Sequence, residues 1–341
     1  MTLRFVDGFD HYAIPSQVPL KYVTHTITTT GSNSMTTMAG RRSGSTALFF
    51  RAADYISQTF DSQQTWIIGF GLYLLSNESA ELIRFNDEAG TIQASVGINA
   101  DGTIRVTRAS FSSGTTLATS ANAMPVLSWN YIEVKLTIAD SGGIFQVRVN
   151  ESMWIDFTGD TKQSTLESAN RILIYGRGTD CAIDDLYICD GSGSLNNDFL
   201  GDVRVDTVRP IGDGYHTEFS RQGGSSNWEN VDDPTTIDEE ATYNYSNTIG
   251  HRDVLDCGNL PSVTGSIFGV QVNMTARKDD AGGRTMRALT RVGGSDYEGA
   301  SLNVGTSYRT FYDIFEKNPD TDAAWVEGEI NIAEYGYKVH A

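Results

Sequence analysis

The chain has 341 residues and carries 43 Asp and Glu against 25 Lys and Arg, a formal net charge of −18. That balance excludes the basic surface that nucleic-acid binding needs and disfavours anionic membranes. With 34 glycines, 10% aromatics, little helical apolar periodicity and no apolar run near the roughly 20 residues that cross a bilayer, the composition points to an all-β protein. The length allows two full hydrophobic cores.

Met1-Thr2-Leu3-Arg4-Phe5 lacks the apolar stretch and small-residue cleavage site of a signal peptide, so synthesis in a cytoplasm is expected. Arg41-Arg42, in a Gly/Ser turn, reads as a solvated hairpin tip. Trp66–Leu74 is apolar on both faces, as a central sandwich strand is. Strands are predicted over 81–85 and 91–98, the latter with Ile92, Ala94, Val96 and Ile98 on one face. Asn99-Ala100-Asp101-Gly102 then turns the chain into a strand over 103–107. The clearest hairpin follows: Ile132, Val134, Leu136 and Ile138 face inward, Asp140-Ser141-Gly142-Gly143 turns, and Phe145, Val147 and Val149 answer.

Asp190-Gly191-Ser192-Gly193-Ser194-Leu195-Asn196-Asn197 is the best linker and divides the chain into domains 1–198 and 199–341. In the second half an alternating strand is predicted over 202–209, stopped by Pro210. Further strands are predicted over 253–257, 267–276, 284–290 and 308–315, while periodicity leaves 325–335 open between a short helix and a strand. Cys181 and Cys189 flank one strand, roughly 26 Å apart at about 3.3 Å per residue. With Cys257 they read as reduced thiols rather than a disulfide framework.

Ile183-Asp184-Asp185-Leu186-Tyr187-Ile188 resembles the closing strand of concanavalin A-like, laminin G-like jelly rolls. Phe5-Val6-Asp7-Gly8-Phe9-Asp10-His11-Tyr12 is similar to the short first strand that pairs beside it, and the 129–149 hairpin to an adjacent strand pair of that family. Together with a second β-rich half ending in 324–331 and Tyr335-Gly336-Tyr337-Lys338-Val339, the pattern resembles tailed-bacteriophage virion structural proteins over nearly the whole chain. The resemblance implies an all-β protein of two tandem β-sandwich (jelly-roll, concanavalin A-like) domains. It also implies a virion protein made in the host bacterial cytoplasm, tail-associated as fibre, tip or collar. Its expected partners are other virion structural proteins and further copies of itself. The alternatives are a carbohydrate-binding receptor-recognition module that grips a host surface glycan, and a capsid decoration protein.

Glu329-Ile330-Asn331-Ile332-Ala333-Glu334 resembles the paired-carboxylate strand of laminarinase-type glycoside hydrolases, in which two glutamates act as nucleophile and general acid. Here Asn331 stands in place of the central aspartate. Asp184 with Asp185, and the group Asp232, Asp233, Asp238, Glu239 and Glu240, offer oxygens of the kind calcium takes but at no EF-hand spacing. His11, His25, His216, His251 and His340 are scattered, and Trp228, Tyr243 and Tyr245 are candidates for stacking on sugars. No catalytic, cofactor-binding or metal-ligating residue is assigned, and a cofactor-free protein that is not an enzyme is expected, with no nucleic-acid partner and no membrane insertion. Attachment and self-association are expected in the second domain.

Overall fold

In a computed structural model the described residues are 2–12, 14–22, 24–25, 35–51, 54–176, 180–233 and 237–341. Half of the described residues are strand and 4% helix, which establishes the all-β class. Two compact units form. The first holds residues 1–10 and 22–205, and the second holds residues 11–21 and 206–341.

The first unit contains β1 (Leu3–Asp7), β2 (Thr24–His25), β3 (Thr36–Ala39), β4 (Thr46–Phe50), β5 (Tyr55–Gln63), β6 (Thr65–Leu74), β7 (Ala80–Asn86), β8 (Ile92–Ile98), β9 (Thr103–Arg108), β10 (Thr115–Ala123), β11 (Trp129–Thr137), β12 (Gly143–Val149), β13 (Ser152–Gly159), β14 (Ala169–Tyr175) and β15 (Cys181–Asp190). They build two antiparallel sheets. One runs β13-β12-β11-β6-β15-β4-β3 with β1 beside β15, and the other runs β10-β9-β8-β7-β14-β5-β2. This is a jelly-roll sandwich, and the opening strand pairs with the closing one as expected, Phe5 opposite Ile188.

Side chains alternate across a strand, so each sheet turns one set inward. From the eight-stranded sheet come Ile68, Phe70 and Leu72, Ile132, Val134 and Leu136, and Phe145 and Val147. Ile83, Phe85, Val96, Val106 and Ile172 answer from the seven-stranded one, and all are essentially inaccessible. Burial of each such side chain contributes about 1.5–3 kcal/mol. Phe85 meets Phe145 edge-on across the interior, ring centroids 6.5 Å apart. Trp66 adds a polar tie between the sheets, donating its indole N–H from β6 to the Ala169 carbonyl of β14 at 2.9 Å.

The second unit contains α1 (Val18–Lys21), β16 (Pro210–Thr217), β17 (Ser220–Gln222), β18 (Tyr243–Tyr245), β19 (Arg252–Cys257), β20 (Val270–Ala276), β21 (Thr285–Val292), β22 (Ser295–Glu298), β23 (Leu302–Asn303), β24 (Arg309–Phe315), α2 (Glu327–Ile330) and β25 (Glu334–Val339). A six-stranded sheet, β16-β19-β25-β21-β22 with β23 on β21, forms one layer and the β20–β24 pair the other. Between them lie Val272, Met274, Ala288, Val292, Trp325, Ile330 and Tyr335. The alternating 202–209 segment is not a strand. The extended run begins instead at Pro210, whose missing N–H is tolerated at the first residue of an edge strand. The open 325–335 stretch divides into α2 and the start of β25.

Among the described residues no helix is long and apolar enough to cross a membrane. Cys181 and Cys189 are free and buried, and Cys257 is free and partly buried. Replacing Trp66 with Phe keeps the ring but leaves the Ala169 carbonyl unpaired. A loss of about 1–3 kcal/mol is predicted in urea unfolding, against about 3–5 kcal/mol for Trp66→Ala; an unchanged midpoint in Trp66→Phe would show that the inter-sheet bond contributes nothing.

Candidate functional site

The chemistry of the first unit collects on the outer face of its eight-stranded sheet, around a bulge in β15. Asp184 pairs with Gly71 of β6 and Tyr187 with Gly69, so three steps along β15 oppose two along β6. The extra residue, Asp185, takes φ 52°, a left-handed conformation uncommon for a side chain other than glycine. The bulge interrupts the alternation and puts both aspartates to work on the outer side. Asp184 accepts the N–H groups of Arg41 and Asp185, each at 2.8 Å. Asp185 pairs with Arg41 Nη1 at 3.0 Å and Arg42 Nη1 at 2.7 Å, and accepts the Val205 N–H at 2.7 Å.

Burial, and then the neighbouring Asp185 charge, push the Asp184 carboxyl up to about 7. Burial also raises Asp185, against the Val205 N–H and the Arg42 and Arg41 guanidinium groups that oppose the shift. Arg41-Arg42 is therefore no solvated hairpin tip. Its guanidinium groups are drawn inward by a carboxylate that the bulge aims at them.

Gly69 and Gly71, alternate residues of β6, leave a trough on this face. A Cβ at Gly69 would collide with the Tyr187 ring, and one at Gly71 with the Arg41 side chain. Arg41 stacks on Tyr131, 4.7 Å from guanidinium carbon to ring centre. The Tyr131 hydroxyl donates to the Asp185 carbonyl at 3.0 Å, and the Tyr187 hydroxyl to Glu133 Oε1 at 2.7 Å. Burial, then the nearby Asp185 and Glu133 charges respectively, hold both phenols well above their ordinary 10, so both stay protonated donors.

Residues 198–205 cross this ground as a strap. Asp198 meets Lys135 at 3.1 Å, and the Phe199 ring lies under Arg148 at 5.0 Å. The Leu200 N–H donates to the Tyr187 oxygen at 3.2 Å and the Gly201 N–H to Glu133 at 2.8 Å. Asp202 pairs with Arg41, and the Val203 carbonyl accepts from Arg41 at 3.2 Å. Glu133 Oε2 is buried and has no hydrogen-bond donor among the described residues; its nearest cation is Arg148, 3.5 Å away.

One step along the strands the same face turns aromatic. Trp129, Tyr73, Ala182 and Phe49 stand opposite one another on β11, β6, β15 and β4, with Met38 packed beside them. Tyr73 and Trp129 are tilted rings 5.5 Å apart and both are partly exposed. Ala182 and Phe49 are buried, so the accessible part of the row is the Trp129–Tyr73 pair on two adjacent strands.

The other sequence candidates fall elsewhere. Glu329 belongs to α2, where its carboxylate accepts the Val326 N–H at 3.3 Å, whereas Glu334 starts β25 and accepts the Tyr215 N–H at 2.9 Å. On separate elements they do not form the paired-carboxylate strand. Asp238 is engaged by Thr242 and Glu240 by Arg277, and residues 234–236 of that loop lie outside the described set, as does the His25 side chain. Among the described residues no group of three or more His, Cys, Asp or Glu is placed to hold a metal ion. Tyr243 and Tyr245 face each other at 5.9 Å, with Tyr245 exposed and Trp228 partly exposed. Sequence reading passed over Gly69 and Gly71, although alternate glycines in a strand are a signal of close approach.

No family model matches the chain, and no curated protein matches it. Among solved structures it is similar to an endo-β-1,4-glucuronan lyase from the fungus Trichoderma reesei, at 10% identity and TM-score 0.40, covering 50% of this chain and 91% of that one. It is similar to a sialidase at 12% identity and TM-score 0.40, covering 55% of this chain and 18% of that one. Domain 4 of an extracellular arabinanase from Geobacillus stearothermophilus, solved with arabinotriose, matches at 13% identity and TM-score 0.35, covering 50% of this chain and 82% of that one. The expectation that the chain is not an enzyme is corrected here. Its structural neighbours include a lyase and a sialidase, so the fold gives no ground for excluding catalysis, and at these identities it assigns no reaction either.

Two predictions follow from the face. Gly69→Ala forces a methyl into the Tyr187 ring and should cost about 1–3 kcal/mol, read by urea unfolding; an unchanged midpoint would mean that the trough is slack. A folded-state carboxyl near 7 against an ordinary 3.8 contributes stability that is complete below about 3.8 and lost as pH rises through about 7. The melting temperature should therefore fall as pH rises from about 3.8 to about 7, with a smaller fall in Asp184→Asn. An identical slope in that variant would remove Asp184 as the cause.

Proposed function

We propose that this chain is a tail-associated structural protein of a bacteriophage virion that presents its first unit to a host surface glycan. The observation that carries the glycan half is the Trp129–Tyr73 pair, partly exposed on a rigid sheet face beside the buried Ala182 and Phe49. Sugar rings have apolar faces that pack on aromatic side chains, and two tilted rings on adjacent strands offer such a surface. Rings held by a sheet lose little freedom when a ligand arrives, which keeps the ordering cost of binding low.

The virion half rests on the sequence resemblance: the 183–188 strand, its opening partner and the β-rich second half. Two sandwich units suit a part that is built into a particle and must keep its shape. The tail placement is preferred to capsid decoration because a glycan-reading face is useful where the particle meets its host.

The test is a glycan array probed with the full chain, followed by titration of any hit against Trp129→Ala and Tyr73→Ala. Each variant is expected to bind about tenfold more weakly or worse, which is ~1.4 kcal/mol, at an unchanged melting temperature. Binding that survives both changes would sink the aromatic row as the site. Analysis of the products of bound glycan in the same titration separates recognition from cleavage. Immunoblotting of gently disassembled particles tests the virion placement, which fails if the protein remains with capsids.

A further inference from the structure

We propose that the strap, residues 198–205, is a built-in competitor for a second part of the same face, and that the ground beneath it takes an acidic glycan. This inference rests on the glycan reading above and adds to it the class of sugar and the means of control.

The chain is strongly acidic, yet this face gathers Lys135, Arg148, Arg41 and Arg42. The strap answers those cations as a ligand would. Its Asp198 carboxylate sits on Lys135 and its Asp202 carboxylate on Arg41. Its N–H groups at Leu200, Gly201 and Val205 serve Tyr187, Glu133 and Asp185, the part that sugar hydroxyls would play. One acceptor has no hydrogen bond: Glu133 Oε2, on a residue 1% exposed, has only the Arg148 guanidinium, 3.5 Å away. A hydroxyl placed there would complete the site, since a buried acceptor without a partner is costly.

The attachment is of a kind that can be reversed. Among the described residues, 198–205 form no strand and make no ladder with the sheet, so side-chain contacts hold them. The preceding residues 191–197 are mostly exposed and rich in Gly and Ser, a composition that lets the strap lift without disturbing β15. Next to this ground stands the aromatic row, one alternate residue along β11 and β6: Trp129 beside Tyr131, and Tyr73 beside Gly71. A chain of carboxylated sugars offers rings to the row, hydroxyls to Glu133 and Tyr187, and carboxylates to the arginines and Lys135.

The experiment compares the full chain with Asp198→Asn/Asp202→Asn, and with Glu78→Gln/Glu88→Gln as a control of equal charge change at exposed positions. Polygalacturonate and its fully methyl-esterified form are the probes, with calorimetry for binding and hydrogen exchange for residues 198–205. In the strap variant, exchange across 198–205 should rise and polygalacturonate should bind about tenfold tighter or better. The ester should gain nothing, the control should match the parent, and adding Lys135→Ala should cancel the gain. Unchanged exchange would overturn the proposal, because the two pairs would not hold the strap. So would faster exchange without tighter binding, or an equal gain for the ester or in the control. A neutral glycan whose binding depends on Trp129, with no acidic preference appearing, removes this inference and leaves the proposed function intact; absence of any glycan binding removes both.

Discussion

The carboxylate of Asp185 is what the outer face of the first unit is organised around. A non-glycine residue at φ 52° costs on the order of 1 kcal/mol or more, and such strain persists only when the surroundings over-determine it. Here two guanidinium groups, the Val205 N–H and the Tyr131 hydroxyl on its carbonyl all converge on one residue. Without the bulge, alternation would turn Asp185 toward Ile68 and Phe70, where no partner for a charge exists. With it, a buried carboxylate becomes the anchor for the 41–42 turn on one side and for the strap on the other.

The second unit handles a buried acid differently. Asp253 is inaccessible and has neutral donors around it: the Phe219 N–H at 3.0 Å, Asn227 Nδ2 at 2.7 Å and the Tyr337 hydroxyl at 3.3 Å. Burial raises its carboxyl, and those hydrogen bonds oppose the rise. Asn244 and Asn230 extend the network to β18. A bonded polar cluster of this kind specifies one arrangement of loops that apolar contact alone would leave loose. In the first unit ion pairs bind a strap to a sheet; in the second, amides bind loops to a strand.

The same outer face thus combines two surfaces with opposite histories of solvent contact. The aromatic row keeps part of its rings in water, while the Tyr131–Glu133–Tyr187 ground is dried by the strap. Drying strengthens every electrostatic contact beneath it, which is why two tyrosines and a glutamate lie there as a bonded set rather than as separate surface groups. The strap belongs to the first unit for this reason, although it follows the Gly/Ser stretch that reads as a boundary.

Local alternation was enough to read most strands. The inward sets of the 129–149 hairpin, the apolar strand at 66–74 and the pairing of the first strand with the closing one were legible, because period two and turn chemistry act over a few residues. The Asp-Asp pair in the closing strand was visible too, as oxygens of the kind calcium takes. What it anchors was not, since Arg41 lies more than 140 positions away and its turn looks solvated by composition. The 202–209 run had the alternation of a strand but pairs with no sheet edge, and a strand exists only with a partner. The Glu329–Glu334 spacing suited one strand until α2 divided it. The sequence by itself determined which residues would be strands and which faces would be apolar, since those follow from neighbours in the chain. Only the tertiary structure decided that a bulge would turn Asp185 outward, that two glycines would make room for Tyr187 and Arg41, and that the chain would lie across its own sheet. Each of these depends on one segment meeting another at a register that no local pattern encodes.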